Sequence, residues 1–127
     1  MRLLDVVWPH DHLAKPPTWK MWAAVSVRRG WFLRINSRGD YPGSVRLLRE
    51  DHPFLDHDSY LGCGGDLIVV DDYALAEALE RQSIPARQGI CGRINLALVP
   101  EIIVNIQASD RLTGNQKRQI VAELGEL

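Results

Sequence analysis

The chain has 127 residues, the size of one domain, and its 46% apolar and 24% charged content is that of a globular protein rather than a disordered one. No apolar run approaches the roughly 20 residues of a membrane span. The start, MRLLDVVWPHDH, carries an acid at Asp5 and no small-residue cleavage site, so it does not read as a secretory signal. The expectation is one cytoplasmic domain over residues 1–127 with no membrane partner. A domain this small buries only about two-thirds of its unfolded surface, which leaves room for a second chain.

The net charge of −1 hides an asymmetry. Residues 15–49 carry Lys15, Lys20, Arg28, Arg29, Arg34, Arg38, Arg46 and Arg49 against Asp40 alone, whereas residues 50–80 carry nine acids and no Lys or Arg. Either the basic third is a nucleic-acid surface beside an acidic partner surface, or strands from the two segments pair and neutralise each other.

In chain order, LLDVVW (3–8) reads as a short strand ending at Pro9, and PHDHLAKPPT (9–18) as a long polar loop. WKMWAAVSV (19–27) and WFLRIN (31–36) are β-rich runs joined by RRG, a hairpin signal with Gly30 available for positive φ. SRGDYPGS (37–44) is a second exposed loop, followed by three short strands at 45–48, 58–63 and 66–71. DYALAEALERQ (72–82) turns helical, with Asp72 as N-cap, and QGICGRIN (88–95) holds a short buried segment between two glycines. Val99, Ile102, Ile103 and Ile106 fall on one helical stripe, with Pro100 confined to the first turn. Thr113 and Gln116 form a capping box before a last amphipathic helix bearing Ile120, Val121 and Leu124. Many short strands early and helices late give an α+β domain built on a small bent barrel.

Three chemistries compete for the polar residues. His10, His12, His52 and His57, with Asp11, Asp51, Asp56 and Asp58 alongside, offer imidazole and carboxylate ligands. Their spacings match no metal signature, so no metal or other cofactor is expected, and a metal-dependent hydrolase using these loops stands as the third alternative. Cys63 and Cys91 each sit beside glycine, but Cys63 lies in the acidic third, which disfavours a thiolate. Both are read as reduced thiols filling the core rather than as a long-range disulfide. RNA cleavage without metal needs a proton-transfer group and cations around the phosphorane. Loop arginines among Trp19, Trp22, Trp31 and Tyr41 supply cations and stacking surfaces, although Trp22 and Trp31 sit in strand patterns that favour the core.

DHPFLDHDSYL at 51–61, GRIN at 92–95 and the amphipathic helix after it carry a family resemblance. With the order of elements, they resemble a divergent branch of the PemK/MazF-like toxins of bacterial toxin–antitoxin pairs, over residues 15–125. The resemblance implies an SH3-like barrel, a homodimer, a cognate antitoxin and cleavage of single-stranded RNA, with Phe54 and Leu55 as a core plug at the barrel entry. The family's arginine opening the second strand falls on Lys20, and its Thr or Ser closing the third falls on Ser37. The usual RP before that strand is replaced by TWK, and the N-terminal GDI/GDV signature is absent.

The expected site is therefore Lys20, Ser37 and Arg38 on the phosphate, with His52 or His57 for proton transfer. Arg28, Arg29, Arg34 and Tyr41 would hold RNA around it. The alternative is a catalytically silent barrel that binds protein or nucleic acid.

Overall fold

The computed structural model describes residues 1–11, 13–80 and 89–127. Its centre is the hairpin expected from WKMWAAVSV and WFLRIN: β4 (Met21–Ser26) pairs antiparallel with β5 (Trp31–Asn36), in one register from Met21↔Ile35 to Ala24↔Phe32 and shifted by a bulge before Ser26↔Trp31. Gly30 closes the turn at φ 68°, and a side chain there would run into the Val70 carbonyl. Residues 22–26 are all buried, so the run does not alternate in exposure. The reason is that both sheet faces are covered. Ala23 and Val25 join Leu4, Val6, Leu33, Ile35 and Leu61 in the main core, while Trp22 and Ala24 join Val7, Phe32 and Ile68 in a second cluster.

Around the hairpin, β1 (Asp5–Val7), β6 (Ser44–Leu47), β7 (Ser59–Gly62), β8 (Ile68–Val69) and β9 (Ile90–Arg93) complete a seven-stranded sheet in the order β6-β7-β5-β4-β1-β9. One edge of β5 is shared, with β7 beside Ile35 and Asn36 and β8 beside Trp31 and Phe32. All pairings are antiparallel, and the sheet curls strongly into a half-barrel. A separate ribbon joins β2 (His10–Asp11) to β3 (Thr18–Trp19), inside what the sequence presents as one loop. Helix α1 (Asp72–Glu80) follows β8, and α2 (Val99–Gln107) and α3 (Gly114–Leu124) bury Ile102, Ile106, Ile120 and Leu124 in the main core.

The last two helices match their sequence signals. Pro100 occupies the first turn of α2, and Thr113 and Gln116 exchange both capping-box hydrogen bonds, at 3.1 and 3.0 Å. At α1 the cap differs: Asp71, not Asp72, accepts from the Ala74 N–H at 2.7 Å. The expected helical residues 81 and 82 lie outside the described residues. The short segment expected to be buried between Gly89 and Gly92 belongs instead to the edge strand β9, with Ile90 exposed and Cys91 half-buried. Neither cysteine is in a disulfide, and burial, then Glu101, pushes the Cys63 thiol up to about 12. Among the described residues no helix is long and apolar enough to cross a membrane.

The resemblance-bearing stretches meet in space. Leu55 is buried in the main core and Phe54 packs beside it, its ring filling the space a side chain at Gly92 would need. The charge asymmetry is neutralised across strands at Arg46, which meets Asp58 just before β7 at 2.9 Å. Arg34 and Arg38 find their carboxylates outside the acidic stretch, on Asp11 and Asp40.

Candidate functional site

Lys20 stands in the one-residue gap between β3 and β4, fixed by its N–H donating to the Pro9 carbonyl at 3.0 Å. Its ammonium donates to Asn36 Oδ1 at 3.4 Å, which ties it to the far end of β5. Because β5 ends there, Ser37 emerges beside it. A cavity of about 320 Å³ opens at this point, lined by Trp8, Trp19, Lys20, Ser37, Asp56 and His57 over a floor of Met21, Ile35 and Leu55. Three of the five residues expected to carry chemistry, Lys20, Ser37 and His57, thus share one concavity.

His57 projects from the turn that Leu55 anchors. Its Nδ1–H donates to the Asp58 carbonyl at 2.8 Å, which makes Nε2 the basic nitrogen of the neutral ring. Ser59 Oγ lies 3.3 Å from Nδ1 and donates to the His57 carbonyl at 3.1 Å, so the ring is braced from two sides. Lining the same cavity, Trp8 and Trp19 stand with centroids 5.9 Å apart, and His10 meets Trp19 edge-on at 5.4 Å. Trp19 is half-buried, a flat apolar wall beside a cation.

Arg34 lines a second hollow of about 360 Å³ with Lys15 and Lys20, but its guanidinium is engaged. Asp11 takes Arg34 Nε at 2.6 Å and Arg34 Nη2 at 3.2 Å, and also the Trp22 Nε1–H at 3.1 Å. The N–H groups of Leu13 and Ala14 complete its shell at 3.0 and 3.2 Å. Burial alone would raise the Asp11 carboxyl, but the bonds from Arg34 and Trp22, the Arg34 charge and the Leu13 N–H outweigh it and hold the carboxyl below its ordinary value. Sequence reasoning counted Asp11 only among metal-ligand candidates. An Asp followed by loop residues whose backbone it caps is an Asx-turn signal, and that clue was present in DHLA.

The other expected residues lie elsewhere. His52 is corrected from a proton-transfer group to a structural tie. It is 1% exposed, its Nδ1–H donates to the Leu48 carbonyl at 2.7 Å, and its Nε2 accepts the Asn95 N–H at 3.1 Å. Both nitrogens are spent joining the DHPF and GRIN stretches, so neither can exchange a proton with a ligand. Arg38 is exposed and paired with Asp40 at 3.1 Å, outside the residues that line the cavity. Arg28 and Arg29 occupy the turn at the opposite end of the β4–β5 hairpin, with Arg29 5.4 Å above the Trp31 ring. Tyr41 lines a different cleft, of about 620 Å³, and Asn36 borders both.

Among the described residues, no three His, Cys, Asp or Glu side chains group closely enough to hold a metal ion, and His12 lies outside the described residues. No known family matches the chain, and no curated protein is significantly similar to it.

Proposed function

We propose that this chain is a PemK/MazF-like, SH3-like barrel of the toxin type that binds single-stranded RNA and cleaves it as a metal-independent endoribonuclease. The observation that supports the reading is the meeting of Lys20, Ser37 and His57, distant in sequence, around one cavity walled by Trp19. Trp19 offers a stacking face for an unpaired base. His57 Nε2 takes the proton of the ribose 2′-hydroxyl, whose oxygen attacks phosphorus. The Lys20 ammonium and the Ser37 hydroxyl face the charge that develops on the non-bridging oxygens. The bond from phosphorus to the 5′-oxygen breaks, leaving a 2′,3′-cyclic phosphate and a 5′-hydroxyl that takes its proton from solvent. The reading carries with it a homodimer and a cognate antitoxin.

The experiment is cleavage of a panel of long single-stranded RNAs in EDTA. The expected result is cutting that His57→Ala slows by about 10²–10⁴-fold, the usual worth of a positioned proton-transfer group. Lys20→Ala is expected to slow it comparably, while Arg38→Ala and His52→Gln leave the rate of folded protein unchanged. Absence of cleavage on every RNA removes the enzyme.

One observation favours a second reading, a barrel that binds without cutting. Among the described residues lining the cavity Lys20 is the single Lys or Arg, because Arg34 is held by Asp11 and Arg38 by Asp40. Lysine is a point charge that cannot grip a phosphate in two places as arginine does. Induced expression separates the two: a nuclease arrests growth, whereas a binding module is tolerated.

A further inference from the structure

The cleft of about 620 Å³ beyond Asn36 is the larger concavity, and the chemistry above makes no use of it. One wall is main chain. Gly43 sits at φ 75°, where a Cβ would come within 2.6 Å of the Gly64 nitrogen, and a Cβ on Gly64 would run into the Pro42 carbonyl. The 42–43 and 62–65 turns therefore touch backbone to backbone, leaving a smooth slot beside them. At its mouth stands Tyr41, 55% exposed. The end of α2 and the segment after it close the far side with Asn105, Ser109, Asp110 and Arg111.

The charges of the cleft decide what fits. Arg111 lies 3.8 Å from Asp66, which balances that pair, whereas Asp110 has no ion-pair partner among the described residues. The surplus is negative, so a phosphate is repelled and a neutral, flat group with N–H donors is favoured. A carboxylate presents two acceptor oxygens. Guanine offers two adjacent donors, N1–H and the exocyclic amine, which match them. Cytosine and adenine each place a ring nitrogen acceptor beside their amine, and uracil flanks its one N–H with carbonyls.

We propose that this cleft is a base-reading subsite that takes a guanine next to the phosphate held at Lys20, stacked on Tyr41 and hydrogen-bonded by Asp110. The proposal rests on the RNA reading above. Asn36 borders both concavities, so the strand passes from one to the other across the end of β5.

The test is fluorescence anisotropy of labelled single-stranded RNAs that differ at one position, G, A, C, U or inosine, with full-length His57→Ala protein so that the RNA stays intact. The G oligomer is expected to bind more tightly than the A, C and U oligomers by about five- to a hundredfold, the range of a good two-bond base contact. Inosine, which lacks the exocyclic amine, loses most of that preference. Asp110→Asn abolishes it while retaining binding, and Tyr41→Ala weakens all five alike. Asp110 and Tyr41 are exposed, so neither change threatens the fold. Equal binding of all five RNAs, or a guanine preference that survives Asp110→Asn, overturns the subsite and leaves the RNA reading standing. Binding of none overturns both.

Discussion

Asp11 is the residue on which the approach to the cavity depends. Its carboxylate gathers two donors of Arg34, the Trp22 indole and two backbone N–H groups into one buried knot, fixing the loop that leads from β2 to Lys20. Removing one partner of a buried ion pair costs about 3–5 kcal/mol, and Asp11→Ala is expected to fall in that range by chemical denaturation. The pH dependence has a definite sign. The folded carboxyl titrates below its ordinary value of 3.8, so the unfolded chain binds the proton more readily. The stability Asp11 contributes is complete above that ordinary value and drains away as pH falls through the folded one. Urea midpoints measured from about pH 6 to about pH 3 should therefore fall more steeply for wild type than for Asp11→Asn. Parallel curves would mean that the knot is not a charged one. The long-range part of this knot was not legible in the sequence, because Trp22 and Arg34 stand 11 and 23 residues from Asp11 and nothing local marks them; only its turn onto Leu13 and Ala14 had a local signal. The same holds for His52, whose partner Asn95 is 43 residues on. A histidine flanked by acids reads as chemistry until its burial is known.

Elements were legible where the signal is local. The stripe Val99, Ile102, Ile103, Ile106 and the Thr113–Gln116 box each fit within a few turns of chain, and α2 and α3 follow them closely. The β4–β5 hairpin was legible for the same reason, since Gly30 can take the positive φ its turn requires. The β2–β3 ribbon was not, because two-residue strands leave no period to read. Strand β9 does not read as a sheet edge because its first two residues, Ile90 and Cys91, are apolar and lie between glycines, while its place at the edge depends on pairing with β1, more than eighty residues earlier. Lys20 and Ser37 are singled out through family resemblance and His57 through the chemistry of its side chain, not through any spacing rule. The helices also give a graded test of packing. Ile106 is fully buried under the sheet, so Ile106→Ala should cost about 2–5 kcal/mol. Thr113→Ala removes a cap worth about 1 kcal/mol, and exposed Val104→Ala should be close to neutral. If denaturant midpoints put Val104→Ala alongside Ile106→Ala, α2 packs by a different face.

At the scale of the molecule the question is how much of the basic surface a polyanion can reach at once. The hairpin separates the Lys20 end from the Arg28–Arg29 turn by six residues of strand, roughly 20 Å at about 3.3 Å per residue. Arg34, Arg38 and Arg46 are already bound to carboxylates, so among the described residues the cations left near the cavity are Lys20 and, in the adjoining hollow, Lys15. Each phosphate neutralised on a single strand releases about 0.7 of a counterion. Two contacts then give a slope of log affinity against log salt near about −1.4, whereas a strand laid along the whole basic face, with about six contacts, gives about −4. On the RNA reading proposed above, the shallow slope is expected, and Arg28→Ala with Arg29→Ala leaves it unchanged. A steep slope that flattens in that double variant would place the RNA backbone along the hairpin instead of at its cavity end. The sequence-based assignment of Arg28 and Arg29 to RNA would then be right, and Lys20 would be a bystander.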